Sequence, residues 1–137
     1  MKIAALILTY NEEINIKECL ISLNFVDRIY VIDSFSNDNT VSIAEKENAN
    51  VFQRKFDTYS SQRNFGFDII PSNYDWILMF DADERIPVDL KNEILYKIQN
   101  VDENVSSFRI RRKDIVFGKW LKRSTGYPTW APRVFKN

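Results

Sequence analysis

The chain has 137 residues, of which 45% are hydrophobic, 28% charged and 14% aromatic, a composition typical of one compact globular domain. Nineteen basic residues balance nineteen acidic ones, so the net charge is zero and nucleic acid is not an expected partner. There is no histidine and one cysteine, Cys19, which excludes a Ser-His-Asp triad, histidine-ligated zinc and an internal disulfide framework.

Apolar runs of strand length recur along the chain, at residues 3–8, 29–32, 51–52, 76–80 and 108–111. Helical periodicity or helix-start signals follow the first four runs, over residues 16–23, 40–48, 59–70 and 87–98. The last run alternates apolar and basic side chains, as an edge strand does. Four alternations of strand and helix predict an α/β fold: a Rossmann-like, mostly parallel sheet with helices on both faces.

An aromatic and basic segment follows Lys113 and breaks this alternation. We expect irregular structure or short strands there. In parallel sheets ligands bind beyond the carboxyl ends of the strands, so the polar loops at residues 9–12, 33–38 and 81–84 form the candidate site.

Asp81 and Asp83 follow the most apolar strand and are separated by one residue, so both carboxylates can point the same way at the sheet edge. Such carboxylates suit Mg²⁺ or Mn²⁺, which commonly bind through one or two carboxylates and substrate phosphates. The cation would neutralise a diphosphate leaving group. Alternatively, the pair caps the following helix, where carboxylates are also favoured.

Asp33 ends the second strand, where an acidic residue can accept a hydrogen bond from a base N–H or a ribose hydroxyl. Alternatively, it forms a turn with the polar residues that follow it. Its place at a strand end suggests that truncation is tolerated. Residues 9–12 contain no glycine, which disfavours a dinucleotide Rossmann site, a P-loop and nucleotidyl transfer.

Basic side chains offer further candidates. Arg63, early in the third predicted helix, can pair with a phosphate or lie on a solvated face. The basic residues of segments 109–113 and 119–123 can meet an anionic acceptor or a membrane surface, or form a solvated face. Cys19 lies at a helical position and is expected in the core, not as a nucleophile.

Four segments in order, at residues 5–13, 31–40, 62–64 and 79–85, together resemble the inverting family 2 glycosyltransferases with the A-type nucleotide-sugar fold. The resemblance is greatest to the bacterial branch that adds sugars to the lipopolysaccharide core. The later residues 126–128 and 133–135 are similar to the segment that follows the core strands in that branch.

The resemblance implies roles for individual residues. The donor nucleotide sugar would contact Thr9, Tyr10, Glu12, Asp33, Ser34, Arg63 and Asp81. Ser34 stands where many members have a second aspartate. Asp81 and Asp83 would form the Asp-x-Asp metal motif, with Asp83 the direct ligand of Mg²⁺ or Mn²⁺ and Asp81 facing the ribose or sugar.

The implied function is transfer of a sugar with inversion from a nucleotide diphosphate sugar, a uridine diphosphate sugar above all, to a glycan or lipid-linked glycan acceptor. Residues 1–113 would bind the donor, and residues 114–137 would begin the acceptor side within the same domain. Cytoplasmic location follows from the single cysteine and the lack of an apolar run of roughly 20 residues. Peripheral contact with the inner face of the membrane and homo-oligomerisation are further expectations.

The general base is not identified. The family's base lies well beyond the Asp-x-Asp motif, and the one carboxylate after the fifth strand is Asp114. Its neighbours Arg111, Arg112 and Lys113 favour the charged form and make it a weak base. The chain is therefore expected to be the donor-binding part of a larger enzyme, and the rival is a non-catalytic nucleotide-sugar-binding or assembly module.

Overall fold

The computed structural model describes residues 1–122 and 127–137. The strands are β1 (Ile3–Thr9), β2 (Arg28–Asp33), β3 (Asn50–Gln53), β4 (Trp76–Asp81), β5 (Ser107–Arg112), β6 (Ile115–Val116), β7 (Lys119–Trp120) and β8 (Thr129–Lys136). The helices are α1 (Ile16–Ser22), α2 (Thr40–Lys46), α3 (Tyr59–Ile69) and α4 (Val88–Gln99). The predicted strands and helices are confirmed, with ends that differ by at most two residues.

Six strands form one mixed sheet in the order β3-β2-β1-β4-β8-β5. The first four strands in this order are parallel, and β8 runs antiparallel between β4 and β5. The Rossmann-like, mostly parallel sheet is therefore confirmed. Its four parallel strands carry the carboxyl-terminal loops that the sequence singled out.

The expectation for the segment after Lys113 was wrong in one respect. The β6–β7 hairpin fits short strands, but β8 is an eight-residue strand in the interior of the sheet. Its sequence hides this role because Pro132, which lacks an N–H, interrupts the apolar pattern. The pairing shifts register beside this proline, where Arg109 lies opposite Pro132 and Phe108 opposite Val134, and this bulge tolerates it.

Helices cover both faces of the sheet, as predicted. On one face the side chains of Ile7 and Leu78 pack with Leu20 of α1, Ala44 of α2 and Ile94 of α4. On the other face Leu6, Ile32 and Ile77 pack with side chains of α3. Continuous apolar strands such as β1 are required for a sheet covered on both sides.

Gly66 of α3 lies directly over Leu6 of β1. A Cβ at position 66 would lie 2.5 and 2.6 Å from the two Cδ atoms of Leu6, which is fully buried. Glycine therefore permits the close approach of α3 to the sheet.

We expect Gly66→Ala to destabilise the fold by about 1–3 kcal/mol, because overpacking of a buried side chain outweighs the gain of about 1 kcal/mol in helix propensity. Urea unfolding measures the change. Asn64→Ala at an exposed position of the same helix is the control and should leave stability unchanged or raise it. A more stable Gly66→Ala variant would contradict the close approach.

Candidate active site

The carboxyl ends of three parallel strands meet at one edge of the sheet. Thr9 of β1 lies opposite Asp33 of β2, and Leu8 of β1 lies opposite Asp81 of β4. The loops after these strands therefore converge, which is the arrangement that the sequence predicted from the polar residues at the strand ends.

Asp33 is fully buried at this edge. Its Oδ1 accepts a hydrogen bond from Thr9 Oγ1 at 3.0 Å, and its Oδ2 accepts from the Ser36 backbone N–H at 2.9 Å and from Gln53 Nε2 at 3.3 Å. The Ser36 hydroxyl also donates to Oδ1. Asp33 thus forms the turn that the alternative interpretation predicted. Its contact with a nucleotide stays a prediction.

The loop after β1 is bonded to the loop after β2. The backbone N–H of Asn11, at a φ of +53°, donates to Ser36 Oγ at 2.9 Å, and the backbone N–H of Glu12 donates to Thr40 Oγ1 at 2.8 Å. Tyr10, the residue before Asn11, is 57% exposed. These bonds fix the backbone of both loops and leave an aromatic ring available to a ligand.

Gln62 connects α3 to the loop after β2, a role that the sequence analysis missed. Its side chain is 1% exposed, and its Nε2 donates to Ser34 Oγ at 3.0 Å. Arg54 Nη1 donates to its Oε1. The available sequence signal was its position four residues before Gly66, on the helix face that packs against the sheet.

Arg63, the predicted donor-contacting residue of α3, is half-buried. Its guanidinium lies 5.8 Å from the centroid of the Tyr59 ring, one helical turn away. Among the hydrogen bonds and ion pairs of the described residues none involves Arg63. Whether it contacts a donor phosphate stays a prediction.

Asp81 and Glu84 share one buried arginine. Arg133 Nη2 donates to Asp81 Oδ2 at 2.8 Å and to Glu84 Oε1 at 2.8 Å, and the arginine side chain is 8% exposed. The other Glu84 oxygen accepts the backbone N–H of Asp81 at 3.0 Å. The sequence assigned no role to Arg133, because nothing local shows which distant carboxylates it meets.

Asp83 is exposed and, within residues 1–122 and 127–137, its carboxylate forms no hydrogen bond or ion pair. The alternative that Asp81 and Asp83 cap α4 is wrong, since the N-cap is Pro87 and no side-chain capping hydrogen bond is formed at this N-terminus by the described residues. A free carboxylate beside a half-exposed one fits a hard divalent cation.

No group of three or more carboxylate or thiol side chains that could hold a metal occurs in the described part of the chain. The oxygen donors of Asp83 and Asp81 suit Mg²⁺ or Mn²⁺ only if other ligands are added, and a diphosphate supplies such oxygens. The residues present therefore fit a cation that arrives with a nucleotide diphosphate.

An open cleft of about 1320 Å³ extends from this loop between α4 and strands β5 and β8. Asp81 and Asp83 lie along it, together with apolar residues of its floor such as Ile94 and Phe108. Asp114 also lines the cleft, and Arg112 Nε donates to its Oδ1 at 3.0 Å.

Basic and aromatic side chains are paired around the cleft. The Arg111 guanidinium lies 5.5 Å from the Trp130 ring centroid, and the Nζ atoms of Lys113 and Lys122 lie 4.7 and 4.9 Å from that of Trp120. Residues 123 and 126, which belong to the basic cluster and to the segment similar to the lipopolysaccharide branch, lie outside the described residues.

Cys19 is confirmed as a core residue. It is 1% exposed, and burial raises the pKa of its thiol to about 12. A thiol that stays protonated near neutral pH is not a nucleophile.

Comparison with known proteins identifies the family to which this chain belongs. The model of Glycosyl transferase family 2 matches residues 4–136. This chain belongs to glycosyl transferase family 2. The family is an enzyme family of glycosyltransferases, as the sequence resemblance implied.

Curated relatives are named as glycosyltransferases. An uncharacterized glycosyltransferase of Rickettsia felis is 41% identical over 96 residues, which cover 69% of this chain and 33% of the relative. The lipopolysaccharide core biosynthesis glycosyltransferase LpsC of Rhizobium meliloti is 24% identical over 123 residues, covering 86% of this chain and 44% of LpsC. The chain thus spans about a third of the length of Rickettsia relatives that it matches.

Solved structures of two bacterial proteins share the fold. S. aureus TarS 1–349 in complex with UDP-GlcNAc superposes with a TM-score of 0.66 at 24% identity, over 93% of this chain and 38% of TarS. Glucosyl-3-phosphoglycerate synthase from Mycobacterium tuberculosis, in complex with Mn²⁺ and UDP, gives a TM-score of 0.65 at 21% identity, over 79% of this chain and 43% of that one. These likenesses confirm the A-type fold.

Proposed function

We propose that this family 2 chain binds a uridine diphosphate sugar together with Mg²⁺ or Mn²⁺, as the donor-binding part of an inverting transferase. The observation that carries the proposal is the exposed carboxylate of Asp83, which lies two residues after β4 and has no hydrogen bond or ion pair to the described residues, on the same sheet edge as the buried Asp33. Complexes of similar folds, one with UDP-GlcNAc and one with Mn²⁺ and UDP, support the donor and cation.

The residues at this edge of the sheet would have different roles in binding the nucleoside, the cation and the sugar. Thr9 and Asp33 form the floor of the nucleoside pocket, with Ser34, Glu12 and the exposed ring of Tyr10 around it. Asp83 holds the cation, Asp81 faces the ribose or sugar, and Arg63 approaches the donor. The cation, when bound, offsets the charge of the diphosphate leaving group.

The acceptor is proposed to be a glycan or a lipid-linked glycan such as the lipopolysaccharide core, which the name of the relative LpsC supports. Residues 1–113 are assigned to the donor and residues 114–137 to the start of the acceptor side. β8 lies between β4 and β5, which supports treating both segments as one domain.

We also propose a cellular location and a state of association for the protein. Among the described residues, no helix combines the length and apolarity needed to span a bilayer. We place the protein in the cytoplasm, with peripheral contact at the inner face of the membrane through its basic residues and with self-association as a further expectation.

Calorimetric titration tests the donor assignment. We expect UDP to bind in the presence of Mn²⁺ and to bind much more weakly with excess chelator, because the diphosphate otherwise approaches uncompensated carboxylates. GDP and ADP, tested in parallel, measure the preference for uracil. Equal UDP affinity with and without chelator would contradict metal dependence.

A test at Asp114 distinguishes a transferase that carries its own general base from a non-catalytic nucleotide-sugar-binding module. Its ion pair with Arg112 favours the module, since one carboxylate oxygen is already bound to a cation. We expect the chain to bind donor and to transfer sugar negligibly, and Asp114→Asn to leave UDP affinity within about twofold, because surface substitutions cost little. Transfer of a labelled sugar that is lost in Asp114→Asn would identify Asp114 as the base.

A further inference from the structure

Arg133 joins the acidic loop after β4 to strand β8. One of its two terminal nitrogens, Nη2, lies 2.8 Å from a carboxylate oxygen of Asp81 and 2.8 Å from one of Glu84. The side-chain exposures are 8% for the arginine, 42% for Asp81 and 16% for Glu84. A nearly buried cation therefore sits directly beside one carboxylate of the Asp-x-Asp pair.

The backbone of β8 aims Arg133 at this loop. Phe108 pairs with Val134 and Arg109 pairs with Pro132, so Arg133 is the extra residue of a bulge. The pairing of β8 with β4 ends at Leu78 and Val134, before β4 reaches Asp81. A bulge breaks the alternation of side chains and redirects one of them. Here the redirected side chain reaches Asp81, at the end of β4, and Glu84 in the loop that follows.

The two aspartates are consequently unequal. Asp81 is bound to Arg133, whereas Asp83 is exposed and has no hydrogen bond or ion pair among the described residues. A divalent cation that approached Asp81 would meet the positive charge of Arg133 at ion-pair distance, and the repulsion lowers its affinity. A diphosphate adds the negative charge and the oxygen ligands that offset this repulsion.

We propose that Arg133 is a positioning residue that holds Asp81 and Glu84 and thereby makes binding of the divalent cation depend on the nucleotide diphosphate. This inference rests on the proposed function. Asp83 would hold the cation together with the donor diphosphate, while Arg133 keeps Asp81 oriented. Free cation alone binds weakly, so the loaded site always contains the donor.

Electron paramagnetic resonance of Mn²⁺ tests the proposal without measuring activity. In the wild-type chain, saturating UDP should tighten Mn²⁺ binding at least about tenfold, and by linkage Mn²⁺ should tighten UDP binding by the same factor. In Arg133→Gln, Mn²⁺ without UDP should bind about tenfold more tightly, and the coupling to UDP should fall accordingly. Arg133→Lys keeps the charge and should restore weak nucleotide-free binding.

Arg85→Gln is the matched control. Arg85 belongs to the same loop, but its hydrogen bonds within the described part of the chain all go to backbone carbonyl oxygens, those of Ala82, Glu84 and Asn15. Its removal should change nucleotide-free Mn²⁺ affinity less than Arg133→Gln does. Circular dichroism verifies that each variant is folded.

The outcomes separate the inference from the proposed function. A folded Arg133→Gln variant with unchanged or weaker Mn²⁺ binding would assign Arg133 a merely structural role and overturn the inference. If that variant does not fold, the wild-type coupling decides, because equal Mn²⁺ affinity with and without UDP also overturns it. A wild-type chain that binds no UDP under any condition would instead contradict the proposed function.

Discussion

Asp83→Ala is expected to abolish the Mn²⁺-dependent part of UDP binding, a loss of about 100-fold in affinity or about 2.7 kcal/mol. The physical reason is that Asp83, unlike Asp81, is not paired with any residue that the structure describes, and its removal takes away both a ligand and a negative charge that attract the cation. Titration calorimetry with Mn²⁺ and with chelator measures the difference.

Thermal unfolding provides a check on the same variant. Because Asp83 is exposed and without a hydrogen bond or ion pair among the described residues, its loss should change stability by less than about 0.5 kcal/mol. Asp89→Asn, an exposed carboxylate that lines the same cleft on α4, is the control and should retain Mn²⁺-dependent binding. Asp83→Ala with wild-type Mn²⁺-dependent affinity would refute the metal assignment.

Asp33→Ala is expected to lower the free energy of unfolding by about 3 kcal/mol and to remove nucleotide binding. The substitution leaves the donors of Thr9, Ser36 and Gln53 without their buried acceptor, and an unpaired buried group costs about 1–3 kcal/mol. Its full burial argues against the expectation, based on its place at a strand end, that truncation is tolerated, and the unfolding measurement tests that expectation.

The variant Asp33→Asn distinguishes a role of Asp33 in nucleotide binding from its role in the turn after β2. The amide keeps an oxygen that can accept from Thr9 Oγ1 but no longer offers a second acceptor to the Ser36 N–H, so a smaller loss of about 1–2 kcal/mol is expected. UDP titration at a temperature where this variant remains folded then reports on contact with the nucleotide. Undiminished affinity there would make Asp33 a turn residue only.

The parallel half of the fold could be predicted because its information is local. β1 and β4 are continuous apolar runs, which only a sheet covered on both faces requires, and α1 and α4 show helical periodicity in their buried residues. The family resemblance and the acidic loops followed from the same segments, since the polar residues stand directly after the strands.

The candidate site was predictable to the same extent. Parallel strands bring their carboxyl ends to one edge whatever the details of packing, so Thr9, Asp33 and Asp81 could be placed together from the sequence. The sequence could not predict which carboxylate oxygens at this edge accept hydrogen bonds from the protein and which do not. That depends on donors such as Ser36 and Gln53, whose directions follow from the fold of the loops.

The tertiary structure alone decided the position of β8 and the partners of Arg133. Arg133 and Asp81 are 52 residues apart, and their contact requires a bulge that no local pattern announces beside Pro132. The approach of Gly66 to Leu6 is equally non-local. Sequence periodicity reports which face of an element is buried, whereas the choice of partner across the sheet is settled by long-range pairing and by the charges that this pairing brings together.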